Sequence, residues 1–415
     1  MRRFLLILGF FAIFLPELRA QQTIGFQLPE NREYVVIPFD LINNLIVVPV
    51  TINKRVTLDF IVDTGASTSI LTDKFFSYLS GLSYSRTIQI AGPGLIDSVT
   101  AYVCNGVTLS LPENVHGELL SLLVLEEDYI KLKQNIGRNI YGILGYDLFS
   151  RYPVKIDYDR LEMTIYNMDY FRQKKLRRFN HVGLDVEKTK PYIHAGIRHN
   201  RKGDSVRLMI DTGASHSILI DVDESPDLNR PEKTLKTSLG YGLGGEIPGE
   251  VGRFDYFILD KKHCLSEILV SIPDEGRYHK AIKRGSRDGT LGGNALKRFE
   301  IIFSYPTGDF YYRRSKYYKR EFEYDMSGLR LAFLQNPDRV IIKKVEEDSP
   351  AAKAGLEAGM RVKRINDKSL DNGNITETYS LLRRRPGKKI RVIIYIKEDG
   401  KLKTEKYTFK LRRLI

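Results

Sequence analysis

Tryptophan is missing from this chain and cysteine is nearly so: 415 residues hold no Trp and two Cys. Two cysteines cannot build a disulfide scaffold or a zinc site based on several thiolates. Cys104 and Cys264 each fall some way after a repeated motif, so they read as repeat-equivalent core positions rather than as a bridge. The seven histidines form no His-x-x-x-His pair, and there is no Cys-x-x-Cys. The spacing therefore calls for no metal, and no cofactor is expected. Past the first twenty residues, no stretch is long and apolar enough to cross a bilayer. Acidic residues fall well short of basic ones toward the C-terminus, where 326–415 hold 22 Lys and Arg against 11 Asp and Glu, most of the net charge of +14. Such a segment is a solvated charged face or an attraction for anionic partners. Its basic residues are not interleaved with aromatic stacking positions, so nucleic acid is not an expected partner.

The remaining composition, 42% hydrophobic and 28% charged, is ordinary for a globular protein long enough for two or three domains. Residues Met1–Ala20 have the pattern of a signal peptide: Arg2 and Arg3, then the apolar Phe4–Leu15, then Ala20 as a cleavage point. Export to a periplasmic or secreted location is expected, with anchoring if the leader is retained.

The most informative feature is a pentapeptide that occurs twice, Asp63-Thr64-Gly65-Ala66-Ser67 and Asp211-Thr212-Gly213-Ala214-Ser215. An apolar strand-like run precedes each copy, Val56–Val62 and Val206–Ile210, and an aliphatic pair follows, Ile70-Leu71 and Ile218-Leu219. Each is answered later by a Leu-Gly element, Ile143-Leu144-Gly145 and Thr290-Leu291-Gly292, at Asp-to-Leu separations of 81 and 80 residues. The segment Gly145–Tyr152 aligns with Gly292–Phe299 without a gap. An offset near 147 residues that persists across separate motifs is too long for a solenoid and fits a duplicated lobe. Runs such as Leu45–Ile52, Val99–Leu111, Tyr192–Ile197 and Phe254–Leu259 read as strands in both halves.

Two related halves that each offer one turn-borne carboxylate suit peptide hydrolysis by a pair of Asp. Two carboxylates held about 3 Å apart cannot both ionise cheaply, so they share one proton. The ionised oxygen can then take a proton from water while the protonated partner hydrogen-bonds the scissile carbonyl. Thr64 and Thr212 can lock the turns through backbone contacts, and Gly65 and Gly213 let backbone N–H groups approach the carboxylates. On these residues the chain resembles the pepsin/retropepsin superfamily of aspartic proteases, in a single-chain, two-lobed form. The Ala after Asp-Thr-Gly is closer to the retroviral type than to pepsin. The resemblance covers roughly Asp40–Tyr305 and implies a cleft between two β-lobes, with Asp63 and Asp211 catalytic.

It also implies glycine-tipped flaps. Candidates are Ile90–Leu95, with Gly92 and Gly94, and Gly240–Gly245, with Tyr241, Gly242 and Gly244. Gly92 and Gly240 each lie 29 residues after their Asp. A tyrosine-glycine pair stands only in the second, unlike pepsins. Gly240, Gly242 and Gly245 also spell G-x-G-x-x-G, but no helix pattern follows and Pro248 interrupts, which excludes a dinucleotide loop.

From Met326 the pattern changes. Ser327-Gly328-Leu329-Arg330-Leu331, then Ser349-Pro350 opening a short helix that ends near Gly355-Leu356, then Gly359-Met360-Arg361-Val362, resemble a PDZ domain of the bacterial protease-associated type. Met360 stands where that type usually has an acidic residue. Arg339–Val345, Arg361–Ile365 and Ile390–Ile396 read as strands and Glu377–Arg385 as a helix. The resemblance implies that Gly328, Leu329, Arg330 and Leu331 offer amides to a peptide carboxylate beside an open strand edge. The hydrophobic end Leu414-Ile415 is itself of the kind such domains bind.

The expected chain is thus mainly β: a leader at 1–20, protease lobes at 21–171 and 172–324, and a PDZ domain at 325–415, a small partly open barrel with helices. It reads as an exported aspartic endopeptidase acting on peptides or proteins. The alternative is a non-catalytic peptide-binding or PDZ scaffold protein of the cell envelope.

Overall fold

The computed structural model describes residues 24–94, 98–171, 176–222, 228–274, 287–334, 339–371 and 375–415. The leader Met1–Ala20, Leu95 at the end of the first flap candidate, and 172–175 of the basic connector lie outside them. No helix among the described residues is long and apolar enough to cross a membrane.

The chain is mainly β. A nine-stranded sheet forms the first lobe and an eight-stranded sheet the second. Both are organised around the strand that delivers the Asp-Thr-Gly turn. In the first lobe Val56–Val62 runs parallel to Ile140–Leu144, with Val62 opposite Leu144, and Ser69–Leu71 pairs antiparallel on the other side of Ile140–Leu144. In the second, Lys202–Asp211 runs parallel to Gly289–Gly292, with Ile210 opposite Leu291, and Ile218–Ile220 pairs antiparallel with Gly289–Gly292. The Leu-Gly elements are therefore strands wedged between the two arms of each turn. Parallel strands buried on both faces need continuous apolar runs rather than alternation, which is why Phe60–Val62 and Leu208–Ile210 read that way.

A six-stranded sheet ties the lobes together. Val154–Asp157 of the first half pairs with Phe299–Ser304 of the second, flanked by Glu162–Tyr166 and Tyr34–Pro38 on one side and Asp309–Arg314 and Asn180–Gly183 on the other. The hairpin of Phe299–Ser304 and Asp309–Arg314 repeats that of Val154–Asp157 and Glu162–Tyr166, so the likeness of the halves continues past Tyr305. One hydrophobic core runs through both lobes. Across the junction Phe149 stands edge-on to Phe303 and stacks on Tyr305 at 5.6 Å.

The C-terminal module has its own sheet, ordered Leu329–Leu334, Arg339–Val345, Arg361–Ile365, Lys389–Glu398 and Lys401–Lys410, and its own core. The helix Pro350–Lys353 starts as the sequence predicts, with Ser349 Oγ accepting from Ala352 N at 3.2 Å. The second helix covers Ile375–Leu382, beginning and ending earlier than its periodicity suggested. Ile415 does not fold back onto the module; it packs into the core of the lobes.

The cysteine expectation needs correction. Both thiols are free, Cys104 buried and Cys264 exposed. They lie on different arms of their hairpins, Cys104 on Val99–Leu111 and Cys264 on His263–Pro273, so they are neither equivalent nor both core.

Phe149 is 1% exposed and joins the lobes. Phe149→Ala should destabilise the lobe pair by about 3–5 kcal/mol. The check is the denaturation midpoint of the full chain, followed by tyrosine fluorescence.

Candidate active site

The two Asp-Thr-Gly turns meet face to face between the lobes. Their threonines are fully buried and exchange bonds across the junction. Thr64 N donates to Thr212 Oγ1 and Thr212 N to Thr64 Oγ1, both at 3.1 Å. Each hydroxyl then donates to the opposite lobe, Thr64 Oγ1 to Ile210 O at 2.8 Å and Thr212 Oγ1 to Val62 O at 2.7 Å. Valine or serine could not serve equally: the hydroxyl gives and takes, and the β-branch fixes its rotamer.

This lock brings Asp63 and Asp211 together. Each carboxyl group sits beside the other turn's glycine and within reach of the other's charge, so the pair favours holding a single proton. Burial, then the charge of Asp211, hold Asp63 well above the ordinary carboxylate range. The backbone works the other way: Gly65 N donates to Asp63 Oδ1 at 2.7 Å and Gly213 N to Asp211 Oδ1 at 2.9 Å. The glycines are a steric need. A Cβ on Gly213 would sit 2.2 Å from Asp63 Cγ, and one on Gly65 3.0 Å from Asp211 Cγ.

The Leu-Gly strands hold each turn from below. Asp63 N donates to Leu144 O at 2.9 Å, Tyr146 N to Ala66 O at 3.0 Å, and Gly293 N to Ala214 O at 2.7 Å. A Cβ on Gly145 would lie 2.8 Å from Ala66 O.

Both carboxyl groups open into a cleft of about 880 Å³ between the lobes. The flap candidates cover it and touch. Gly244 N donates to Pro93 O at 2.8 Å, and Gly94 bridges to Gly244. Gly94 has φ +135°, and a Cβ there would sit 2.2 Å from the Gly244 carbonyl carbon. Gly92, Tyr241 and Gly242 line the cleft, and Tyr241 and Leu243 pack against the first lobe. Sequence spacing located both loops but not their mutual contact.

The C-terminal module lies against this roof and one wall. Arg330 donates to Ser238 O at 2.7 Å and to Thr237 Oγ1, at the base of the second flap, and Lys343 donates to Tyr241 Oη. The helix Leu132–Ile136 of the first lobe packs on the edge strand Leu329–Leu334. Thr376 Oγ1 donates to Ile136 O at 2.9 Å, and Lys133 sits over the Phe333 ring. The strand edge expected to be open is thus covered. The expected carboxylate loop is engaged as well: Ser327 N and Gly328 N donate to Asp325 Oδ2, Leu329 N to Ser327 Oγ, and Leu331 N to Tyr379 Oη at 3.2 Å. Burial pushes the Asp325 carboxyl up to about 6.

Several neighbours of the dyad escaped sequence reasoning. Tyr305 is buried near both Asp, and its hydroxyl finds no partner among the described residues. His216 lines the cleft beside Asp211, and burial lowers its imidazole to about 4, leaving it neutral. Its place directly after the second pentapeptide was the available signal. Lys190 and Arg287 line the second lobe's wall, and burial, then Arg287, lower the Lys190 ammonium from its usual value. Neither lies in a motif.

Residues 48–148 match the family model described as Aspartyl protease, and 341–396 match that of the PDZ domain. No curated protein matches the chain. Among solved structures, the crystal structure of Basic 7S globulin from soybean is similar over 68% of this chain and 95% of that one, at 10% identity and a TM-score of 0.40. The chain thus combines an aspartyl-protease region with a PDZ domain.

Because Asp63 binds its proton more tightly folded than unfolded, it costs stability as pH rises above the ordinary carboxylate range of 3.8. Asp63→Asn removes that cost. The variant should unfold at a higher temperature than the parent at pH 7, with the difference closing as pH falls toward 4. Thermal scans across that window check it.

Proposed function

We propose that this chain is an exported two-lobed aspartic endopeptidase that hydrolyses peptide bonds with Asp63 and Asp211. The observation that carries the reading is the closely apposed carboxyl pair, fixed by reciprocal threonine contacts at the floor of a flap-covered cleft. Water bound between the carboxyl groups loses a proton to the ionised oxygen as it attacks the scissile carbonyl. The protonated partner hydrogen-bonds the carbonyl oxygen as it gains charge, then yields a proton to the leaving amine. The Gly65 and Gly213 amides favour the single negative charge that this exchange requires. The meeting flaps would exclude bulk water and supply an extended backbone for a peptide to lie against. The leader-like Met1–Ala20 supports export to a periplasmic or secreted location.

We infer further that the PDZ domain braces this site. Its contacts with Ser238, Tyr241 and Ile136 reach one flap and the helix that forms a cleft wall. A C-terminal peptide ligand for the domain would have to compete with Leu132–Ile136 for the edge of Leu329–Leu334.

Asp63→Asn and Asp211→Asn should each lower turnover of a generic peptide pool at least about a hundredfold. A statine-type inhibitor, whose hydroxyl takes the place of the attacking water, should bind, and chelators should leave activity unchanged. Retained activity in either variant would overturn the dyad mechanism, and absence of turnover in the parent would leave a non-catalytic peptide-binding role for the lobes. Deleting Met326–Ile415 should lower the unfolding temperature and reduce cleavage of short and long peptides in the same proportion. A loss confined to long substrates would assign the domain to substrate capture instead.

A further inference from the structure

The two walls of the cleft differ in chemistry. Among the described residues, the first lobe contributes aliphatic side chains, among them Ile61, Ile70, Leu123 and Ile143, and no Lys or Arg. Among the described residues, every cation lining the cleft comes from the second lobe: Lys188, Lys190 and Arg287. Burial reduces the hydration of Lys190, and Arg287 stands near enough to repel it. No carboxylate forms an ion pair with Lys190 or Arg287 among the described residues; Arg287 Nη1 contacts Met209 Sδ, and its buried Nε has no partner. Glu187, the other acidic residue lining that wall, is paired with Arg207 at 3.1 Å.

Two partly desolvated cations that lack a counter-charge are costly unless a ligand supplies one. The dyad cannot do so fully: it carries one negative charge for two positive ones, and that charge is committed to Gly65, Gly213 and the shared proton.

We propose that Lys190 and Arg287 form an anion-binding subsite that selects peptides with an acidic side chain on the second-lobe side of the scissile bond and an apolar one on the first-lobe side. Arg287 offers a planar fork suited to a carboxylate, and Lys190 a point charge beside it. An amide of the same shape would bury both cations without neutralising them, so Glu is preferred to Gln by charge rather than by size. The inference rests on the peptidase reading for the identity of the ligand, but its test does not depend on turnover.

The test uses the full chain and octapeptides whose central bond is replaced by an uncleavable hydroxyethylene, with Leu on one side and Glu or Gln on the other, in both orientations. In one orientation only, the Glu peptide should bind about tenfold more tightly than its Gln twin, and the ratio should shrink as salt rises. Lys190→Met and Arg287→Met should each bring the ratio close to one while binding of the Gln peptide stays within about threefold of the parent. Lys190→Arg should retain the preference, which shows that a loss in Lys190→Met is not misfolding. Equal binding of Glu and Gln in both orientations would overturn the proposal. So would an equal loss of both peptides in the Met variants, which would make the cations a support for the dyad. Cleavage of the matching ordinary peptides is read separately. Preference in binding without cleavage refutes the peptidase and leaves the subsite standing, and cleavage without preference does the reverse.

Discussion

Four hydrogen bonds at the lobe junction set everything around them. Thr64 and Thr212 each use one side chain to serve the other lobe's backbone twice, once as acceptor and once as donor. A single such bond contributes about 0.5–1.5 kcal/mol net, but losing one partner strands buried groups at about 1–3 kcal/mol each. The junction is therefore more demanding than its net stability suggests. It fixes the distance between two turns, and through it the separation of two carboxyl groups that would otherwise repel. The six-stranded sheet and the Phe149–Tyr305 stack supply the apolar area that keeps the lobes pressed together while the threonines set their register.

The consequences reach into electrostatics. Burying two carboxyl groups side by side forces them to share a proton, and the two glycine amides keep the remaining charge affordable. The same low-dielectric surroundings leave His216 neutral and weaken the ammonium of Lys190. Charge in the cleft is thus concentrated on one wall, and the dyad answers only part of it.

The PDZ domain extends the same logic outward. It has its own core, yet its edge strand and two basic side chains are engaged by the lobes, and its loop amides by the module's own Asp325, Ser327 and Tyr379, rather than left for a ligand. The helix it holds, Leu132–Ile136, begins after Lys131 and ends before Gly137, both in the left-handed region at φ 54° and 75°. A segment bounded by two such residues takes its place from what packs on it rather than from helix propensity, since five residues are too few to be stable alone.

The sequence by itself determined the repeat, the two carboxylates, the glycines that must stand beside them and the strands that carry them. Those features are encoded locally, in a pentapeptide whose residue types have few alternative uses and in a spacing repeated to within one residue. Strands such as Leu45–Ile52, Val56–Val62 and Arg339–Val345 were legible to the residue because their apolar patterns end at turns. Tertiary structure alone decided the rest. Lys190, Arg287 and Tyr305 belong to no motif, and they reach the dyad only because distant strands converge there. The contact between Gly94 and Gly244 and the coverage of Leu329–Leu334 join surfaces far apart in the chain, and no local pattern records which surface will meet which. Cys104 and Cys264 make the same point from the other side: each follows its own pentapeptide, but they stand on different arms of their two hairpins, one buried and one exposed, because burial follows the register of the sheet and not a residue's place after a motif.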